Sequence, residues 1–193
     1  MVDLIIAGEA GKLHAVYHKS AQEAAPLAVI LSGNPRQKFH MNDRVSYAMF
    51  RAFMDIGFSV VRFNYRGVGD SEGTIGITSE NMLDIATVID WIQNHNEDSD
   101  KIWLAGHQLG AWYVLQAMMR RPEISGFALV SPDVSVSDFA FLSPRKISSN
   151  PKKSGVIYNI FKNVLHFKIF FGIINIRYKI RRKIHMDERK KKM

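Results

Sequence analysis

The amino-acid sequence predicts an α/β domain in three layers, built around a mostly parallel β-sheet. Short apolar runs rich in β-branched residues alternate with longer segments in which apolar residues recur every three or four positions. Glycine, asparagine and proline residues separate these runs and indicate turns. The alternation is typical of βαβ units, in which helices cover both faces of a parallel sheet. The 193 residues, of which 47% are hydrophobic, suffice for one core of this kind.

The first apolar runs predict three strands. "DLIIAG" and "GKLHAVYH" flank a glycine-containing turn, which indicates an antiparallel pair over residues 3–18. "LAVILS", residues 27–32, is dominated by apolar residues and is followed by "GNP". A continuous apolar run that ends in turn-forming residues is typical of a strand buried on both faces. We therefore expect this strand at the centre of the sheet.

A helix, a strand and a second helix follow. "NDRVSYAMFRAFMDIG" has apolar residues at helical spacing, and Gly57 stands where such a helix would end. "FSVVRFN", residues 58–64, predicts a strand that runs into the glycine-rich stretch "YRGVGDSEG". "TSENMLDIATVIDWIQNH" predicts a helix with Thr78 or Ser79 as its N-cap.

The last predicted unit is a strand, a helix and another strand. "KIWLAG", residues 101–106, predicts a buried strand, and "AWYVLQAMMRR", residues 111–121, predicts a helix that ends near Pro122. "GFALVS", residues 126–131, predicts the further strand. The stretch "GHQLG" stands between the first of these strands and the helix.

The stretch "GHQLG" has the glycine spacing of a sharp strand–turn–helix elbow. Such an elbow strains its central residue and leaves no room for Cβ atoms two positions to either side, a demand that Gly106 and Gly110 meet. The N–H of Leu109 and an N–H of the "SGNPRQ" loop, at Asn34, are the candidate donors of an oxyanion hole. The central residue of the elbow, Gln108, carries no nucleophile.

The stretches "RFNYRGVGDSEG", "DWIQ", "LAGHQLGAW", "LQAMMRRPEISGFALVSP" and "DFAFLSP" resemble the bacterial α/β-hydrolase-fold family of small cytoplasmic serine hydrolases. The resemblance covers residues 3–144 and implies an elbow of the form Gly-Tyr/Phe-Ser-Phe-Gly-Ala-Trp. Gln108 then stands at the position of the serine nucleophile, while the flanking residues Gly106, Gly110, Ala111 and Trp112 match. Where the family's oxyanion loop usually reads His-Pro-His-Pro, this sequence has "SGNP".

The resemblance also implies that the acid and the base of a catalytic triad follow residue 144, in a Gly-Asp loop and an Asn-His loop. Neither motif occurs there, and His166 and His185 lack the residues that flank the family's base. Asp133 and Asp138 follow the last predicted strand, and we interpret them as turn and helix-cap residues rather than as a displaced acid.

Composition and charge change together at residue 144. Residues 1–144 carry a net charge of −5 and all fifteen alanines, whereas residues 145–193 carry +13 and are rich in isoleucine and lysine. The change predicts a truncated α/β-hydrolase-like domain over residues 1–144, with a sheet that is incomplete at its C-terminal end. A non-homologous basic tail, irregular or helical, is predicted over residues 145–193.

Several hypotheses apply to this tail. A membrane span needs about 20 apolar residues, and the most apolar uncharged stretch, "IFFGIINI", has only eight, so no span is expected. A basic amphipathic helix on an anionic membrane surface is a weak alternative, because Lys168 falls on its apolar side. The composition fits A/T-rich DNA read out of frame, which favours a frameshift near codon 145. Searching the other two reading frames for the Gly-Asp and Asn-His loops tests that hypothesis.

The sequence predicts neither a cofactor nor a metal site. It has no cysteine, which excludes thiolate sites and disulfides. His14 and His18 are four residues apart in a predicted strand rather than in a helix, and His40, His95 and His107 are isolated. The stretch "GVGDSEG" lacks the Lys-Ser/Thr of a phosphate-binding loop and indicates a tight turn.

The sequence thus predicts a degenerate serine-hydrolase-like protein, descended from an enzyme acting on an ester, thioester or amide and inactive as written. One alternative is a non-catalytic module that binds a small acyl compound in the inherited pocket. Another is a protein that docks on a membrane surface or nucleic acid through residues 145–193, for which salt-sensitive binding lost on deleting the tail would be evidence. Asp3 stands where a signal peptide has positive charge, which predicts a cytoplasmic protein.

Overall fold

The computed structural model describes residues 1–132, which form a six-stranded sheet with helices on both faces. The predicted tail, residues 145–193, and the residues Asp133, Asp138, His166 and His185 lie outside the described part. The strands are β1 (Val2–Gly8), β2 (Gly11–His18), β3 (Leu27–Leu31), β4 (Ser59–Phe63), β5 (Ile102–His107) and β6 (Ile124–Val130). The helices are α1 (Arg44–Asp55), α2 (Thr78–Asn94) and α3 (Leu109–Met118).

The sheet has the strand order β1-β2-β4-β3-β5-β6. β1 and β2 form an antiparallel pair, β2 is antiparallel to β4, and β4, β3, β5 and β6 are parallel to one another. All five residues of β3 are buried, in agreement with its central position. The register places Leu31 opposite Gly106, so the carboxyl ends of β3 and β5 lie side by side. Ligand sites in open α/β sheets form at such carboxyl ends.

The two faces of the sheet pack against different helices. Val61 of β4 belongs to the core cluster that contains Ile85 of α2 and Val114 of α3. The next residue, Arg62, places its guanidinium carbon 4.9 Å from the ring centre of Phe50 in α1. Because successive strand residues point to opposite faces, α1 covers one face of the sheet and α2 and α3 cover the other. The predicted three-layer α/β architecture is confirmed.

Helix α1 begins with a side-chain cap, whereas the cap of α2 differs from the predicted one. Asp43 caps α1, since its Oδ1 accepts hydrogen bonds from the N–H groups of Val45 and Ser46, both at 2.9 Å. The predicted N-cap of α2 is wrong: the cap is Ile77, and Thr78 is already helical. Glu80 stabilises this start because its Oε2 accepts a hydrogen bond from the N–H of Ile77 at 2.7 Å.

The glycine-rich loop after β4 is held by buried polar groups of the protein itself. Arg66 donates from Nη2 and Nε to the carboxylate of Asp84 in α2, at 2.7 and 3.1 Å, and its backbone N–H donates to the same carboxylate at 3.0 Å. The Asp84 carboxylate raises the pKa of Arg66 through these hydrogen bonds. Gly67 and Gly69 have positive φ angles of 69° and 56°, as tight turns require.

Within residues 1–132, no helix combines the length and the apolar character that crossing a bilayer requires.

Candidate functional site

The bend between β5 and α3 has the geometry that the glycine spacing predicts. Gln108, the single residue between the two elements, has φ 49° and ψ −112°, a strained conformation for a residue with a side chain. A Cβ atom on Gly106 would lie 2.3 Å from the carbonyl oxygen of Gly110. A Cβ atom on Gly110 would lie 2.4 Å from the carbonyl oxygen of Leu31. Only glycine fits at either position, and the tight bend depends on both.

Backbone hydrogen bonds fix the elbow on both sides. The N–H of Gln108 donates to the carbonyl oxygen of Val130 at 3.0 Å, and its carbonyl oxygen accepts from the N–H of Ala111 at 3.1 Å. Leu109 is the first residue of α3, so its N–H has no partner within the helix and lies at the positive end of the helix dipole. This position is compatible with the oxyanion-donor role expected of Leu109, which stays a prediction.

The second expected donor, Asn34, lies in the loop after β3. Its side chain caps the short 3₁₀ turn Pro35–Gln37, with Oδ1 accepting from the N–H of Arg36 at 3.0 Å. The neighbour of Asn34, Gly33, lies directly against the elbow side chain: a Cβ atom on Gly33 would be 3.1 Å from Oε1 of Gln108. The structure thus brings Gly33 and Gln108 together, while the donor role of Asn34 stays a prediction.

The side-chain amide of Gln108 fills the space beside the loop after β3. Its Oε1 is buried and has no hydrogen-bond partner within residues 1–132. Burying an amide oxygen without a donor is energetically costly, so an unpaired one in a native protein calls for an explanation.

Two residues beside the elbow, Ser32 and His107, form a pair that the sequence did not indicate. Each directly follows a member of the register pair Leu31 and Gly106, so they stand at the same level on neighbouring strands and on one face of the sheet. They are 1% and 6% exposed. Ser32 Oγ and His107 Nδ1 have no hydrogen-bond partner in the described part of the chain. The only signal in the sequence for this pair is that each residue stands at the end of a predicted strand.

His107 is held in an apolar setting. Its ring packs edge-to-face against Phe39 with ring centres 5.2 Å apart. Burial lowers the pKa of His107 from its ordinary value, and the nearby Asp43 carboxylate opposes part of that change. The imidazole is therefore neutral at pH 7, with one donor and one acceptor nitrogen.

Three of the histidines in residues 1–132 lie on elements other than the elbow. His14 in β2 has its Nε2 3.2 Å from Oδ1 of Asp3 and its Nδ1 3.4 Å from Oδ2 of Asp70. His18 ends the same strand, and His95 stacks on Trp91 with ring centres 4.2 Å apart. Among residues 1–132, no group of three or more histidine, aspartate or glutamate side chains is arranged to hold a metal ion.

A cavity of about 630 Å³ lies between α2 and α3 and does not include the elbow. Its lining is mainly apolar, and the two arginines at its rim are Arg120 and Arg121. The guanidinium of Arg121 is already paired with the carboxylates of Asp90 and Glu123. Ser32, His107 and Gln108 do not line this cavity. Within residues 1–132, the buried polar atoms without a partner near the elbow are thus separate from this cavity.

Comparison with known proteins gives a consistent result. A profile of the family described as serine aminopeptidase, S33, matches residues 40–162. An uncharacterized protein of Rickettsia prowazekii is 31% identical over 190 residues, covering 91% of this chain and 80% of its own length. A protein of unknown function from Agrobacterium tumefaciens has a similar structure, with a TM-score of 0.71 and 38% identity over 74% of this chain and 66% of that one. An α/β serine hydrolase homologue from Coxiella burnetii has a TM-score of 0.68 and 29% identity, over 73% of this chain and 67% of its own.

The matched ranges show how far along the chain the similarity to these proteins extends. The chain spans about two thirds of the length of the two similar structures. The family profile reaches residue 162, and a match over 91% of the chain also has to extend past residue 144. The unrelated tail expected from residue 145 stays a prediction, which the coding DNA can decide.

Proposed function

Because the chain belongs to the serine aminopeptidase S33 family of α/β hydrolases, we propose that it is a degenerate serine hydrolase. Its membership confirms the resemblance seen in the sequence. The protein keeps the elbow that presents a nucleophile in this family, but the side chain at its centre, Gln108, has no group able to form an acyl-enzyme. The observation that carries the proposal is Gln108 at φ 49° on the bend between β5 and α3.

The chemistry of the side chain supports this proposal. A serine hydroxyl attacks an acyl carbon after a neighbouring base has removed its proton, and the product is a covalent ester. The nitrogen lone pair of an amide is delocalised into its carbonyl group, so glutamine does not attack in this way. The Gln108 side chain is also longer than serine and lies against Gly33, where it takes up room that an acyl group would need.

The rate lost when a serine nucleophile is removed is large, which supports loss of activity rather than partial activity. Removing the nucleophile of a serine protease costs on the order of 10⁶ in turnover, and what remains comes from oxyanion donors and substrate binding. The N–H of Leu109 could still polarise a carbonyl toward direct attack by water, a contribution that needs no covalent intermediate. Any residual hydrolysis would therefore be independent of the side chain at position 108.

The test is turnover of p-nitrophenyl acetate and butyrate by the full chain and by Gln108→Ala. We expect both proteins to hydrolyse these esters at the same slow rate, within about twofold, because neither side chain takes part in covalent catalysis. Gln116→Ala, in α3 and lining the cavity rather than the elbow, serves as the matched control for the loss of a glutamine side chain. Turnover that the Gln108→Ala change abolishes, while Gln116→Ala leaves it intact, would contradict the proposal.

A further inference from the structure

Three buried polar side-chain atoms belong to residues at the carboxyl ends of β3 and β5. They are Oγ of Ser32, Nδ1 of His107 and Oε1 of Gln108, none of which has a hydrogen-bond partner within residues 1–132. Ser32 and His107 are neighbours through the strand register, and Gln108 follows His107 directly. Phe39 joins the group, since it contacts His107 and would lie 2.8 Å from a Cβ atom on Gly33.

Such a cluster is unusual in a folded protein. Buried polar atoms are nearly always hydrogen-bonded, and an acceptor without a donor costs more free energy than a formed hydrogen bond returns. Ser32 and His107 are more than nine-tenths buried, so bulk water does not satisfy them. Gln108 as a residue is only partly buried, although its Oε1 is covered. Because residues 1–132 supply no partner for these three atoms, a small molecule bound at the elbow would gain hydrogen bonds from them.

The hydrogen-bonding capacity of the cluster selects the ligand. Oε1 of Gln108 is an acceptor and needs a donor from the ligand. The N–H of Leu109 is a donor and needs an acceptor. The hydroxyl of Ser32 and the neutral imidazole of His107 can serve in either role. A group that offers N–H donors and a carbonyl acceptor side by side meets all of these needs at once.

We propose that the carboxyl ends of β3 and β5 form a binding site for a small primary carboxamide, with its N–H₂ group on Oε1 of Gln108 and its carbonyl oxygen near Leu109. This inference rests on the proposed function, since it assigns a role to the amide that replaces the nucleophile. Replacing a hydroxyl by an amide changes what the site accepts: Gln108 presents an acceptor oxygen and N–H donors, and a primary carboxamide matches both with its own two polar groups. An ester has no N–H or O–H to offer, and a carboxylate would place negative charge against Oε1.

The experiment compares three ligands of one chain length: hexanamide, methyl hexanoate and hexanoate. The full chain, labelled with ¹⁵N, is titrated with each compound, and the side-chain N–H₂ signals of glutamine are followed by NMR. The signal of Gln108 is the one absent from Gln108→Met. We expect saturable shifts with hexanamide and at least about tenfold weaker binding of the ester and the carboxylate, as the loss of one buried hydrogen bond implies.

Two variants act as controls. Gln108→Met keeps the length of the side chain but removes the acceptor, and we expect it to bind hexanamide at least about tenfold more weakly. Gln116→Met makes the same change on α3 outside the cluster and should bind like the unaltered protein. Circular dichroism establishes whether Gln108→Met is folded. If it is not, the ranking of the three ligands on the unaltered protein decides.

Three results would overturn the inference: no binding of hexanamide up to its solubility, equal or tighter binding of the ester, or full binding by folded Gln108→Met. Failure of the proposed function has a different signature, namely ester turnover that depends on Gln108. A protein that binds hexanamide most tightly and yet hydrolyses esters through Gln108 would contradict only the proposed function.

Discussion

Replacing Asp84 by alanine is expected to lower the free energy of unfolding by about 3–5 kcal/mol. Asp84 is 1% exposed and its carboxylate accepts three hydrogen bonds from the side chain of Arg66 and one from its backbone N–H. Removing the carboxylate leaves the buried guanidinium of Arg66 with only the more distant carboxylate of Glu80, 3.9 Å away, so most of the desolvation cost of that charge is then unopposed. The loss is a large part of the 5–15 kcal/mol typical of a whole domain. Urea denaturation followed by circular dichroism measures it.

The control is the double variant Arg66→Met, Asp84→Leu. It removes both charges and fills their space with apolar atoms, so its stability should recover toward that of the unaltered protein or exceed it. The glycine-rich loop would then be held by packing alone. A loss below about 1 kcal/mol for Asp84→Ala would show that water reaches this pair and that the loop is not anchored by it.

Replacing Gly110 by alanine is expected to cost more than about 4 kcal/mol, or to prevent folding. Its Cβ atom would lie 2.4 Å from the carbonyl oxygens of both Leu31 and Ser32. Those oxygens belong to the central strand β3 and the residue after it, and β3 is hydrogen-bonded to β4 and β5. No side-chain rotation can relieve the overlap, so the backbone of the elbow would have to move. Thermal unfolding and the yield of folded protein measure the effect.

Gly73→Ala is the matched control for this change. Gly73 lies in the glycine-rich loop at φ 88°, and the nearest atom to its Cβ position is the carbonyl oxygen of Ala10 at 3.3 Å. Alanine there meets an unfavourable φ, which costs about 1–2 kcal/mol, but no backbone overlap. Equal losses at Gly73 and Gly110 would contradict the close packing of the elbow on β3.

The fold could be predicted from the sequence because each element carries its own local signal. The apolar runs of β3 and β5 and the helical spacing in α1 depend on neighbours within a few positions, and burial in the sheet does not alter them. The start of α2 was misplaced because Thr78 is a good N-cap by residue type. The side chain of Glu80 instead serves the preceding residue, Ile77.

Only the part of the candidate site that is formed by residues close together in the chain could be predicted. The elbow follows from the glycines two positions either side of Gln108, because the spacing itself encodes the bend. The pairing of Ser32 with His107 depends on the register of two parallel strands that are distant in the chain, which no short pattern encodes. The unpaired state of Oε1 in Gln108 likewise depends on how the loop at Gly33 packs against it.

The proposed function requires that the residue at the elbow forms no covalent bond with an acyl or phosphonyl group. Mass spectrometry of the intact protein after incubation with a fluorophosphonate tests it most directly, with an active serine hydrolase treated alongside to establish that the reagent is competent. We expect an unchanged mass for this chain. A stoichiometric adduct that peptide mapping places at the elbow, or at Ser32 beside it, would contradict the proposed function.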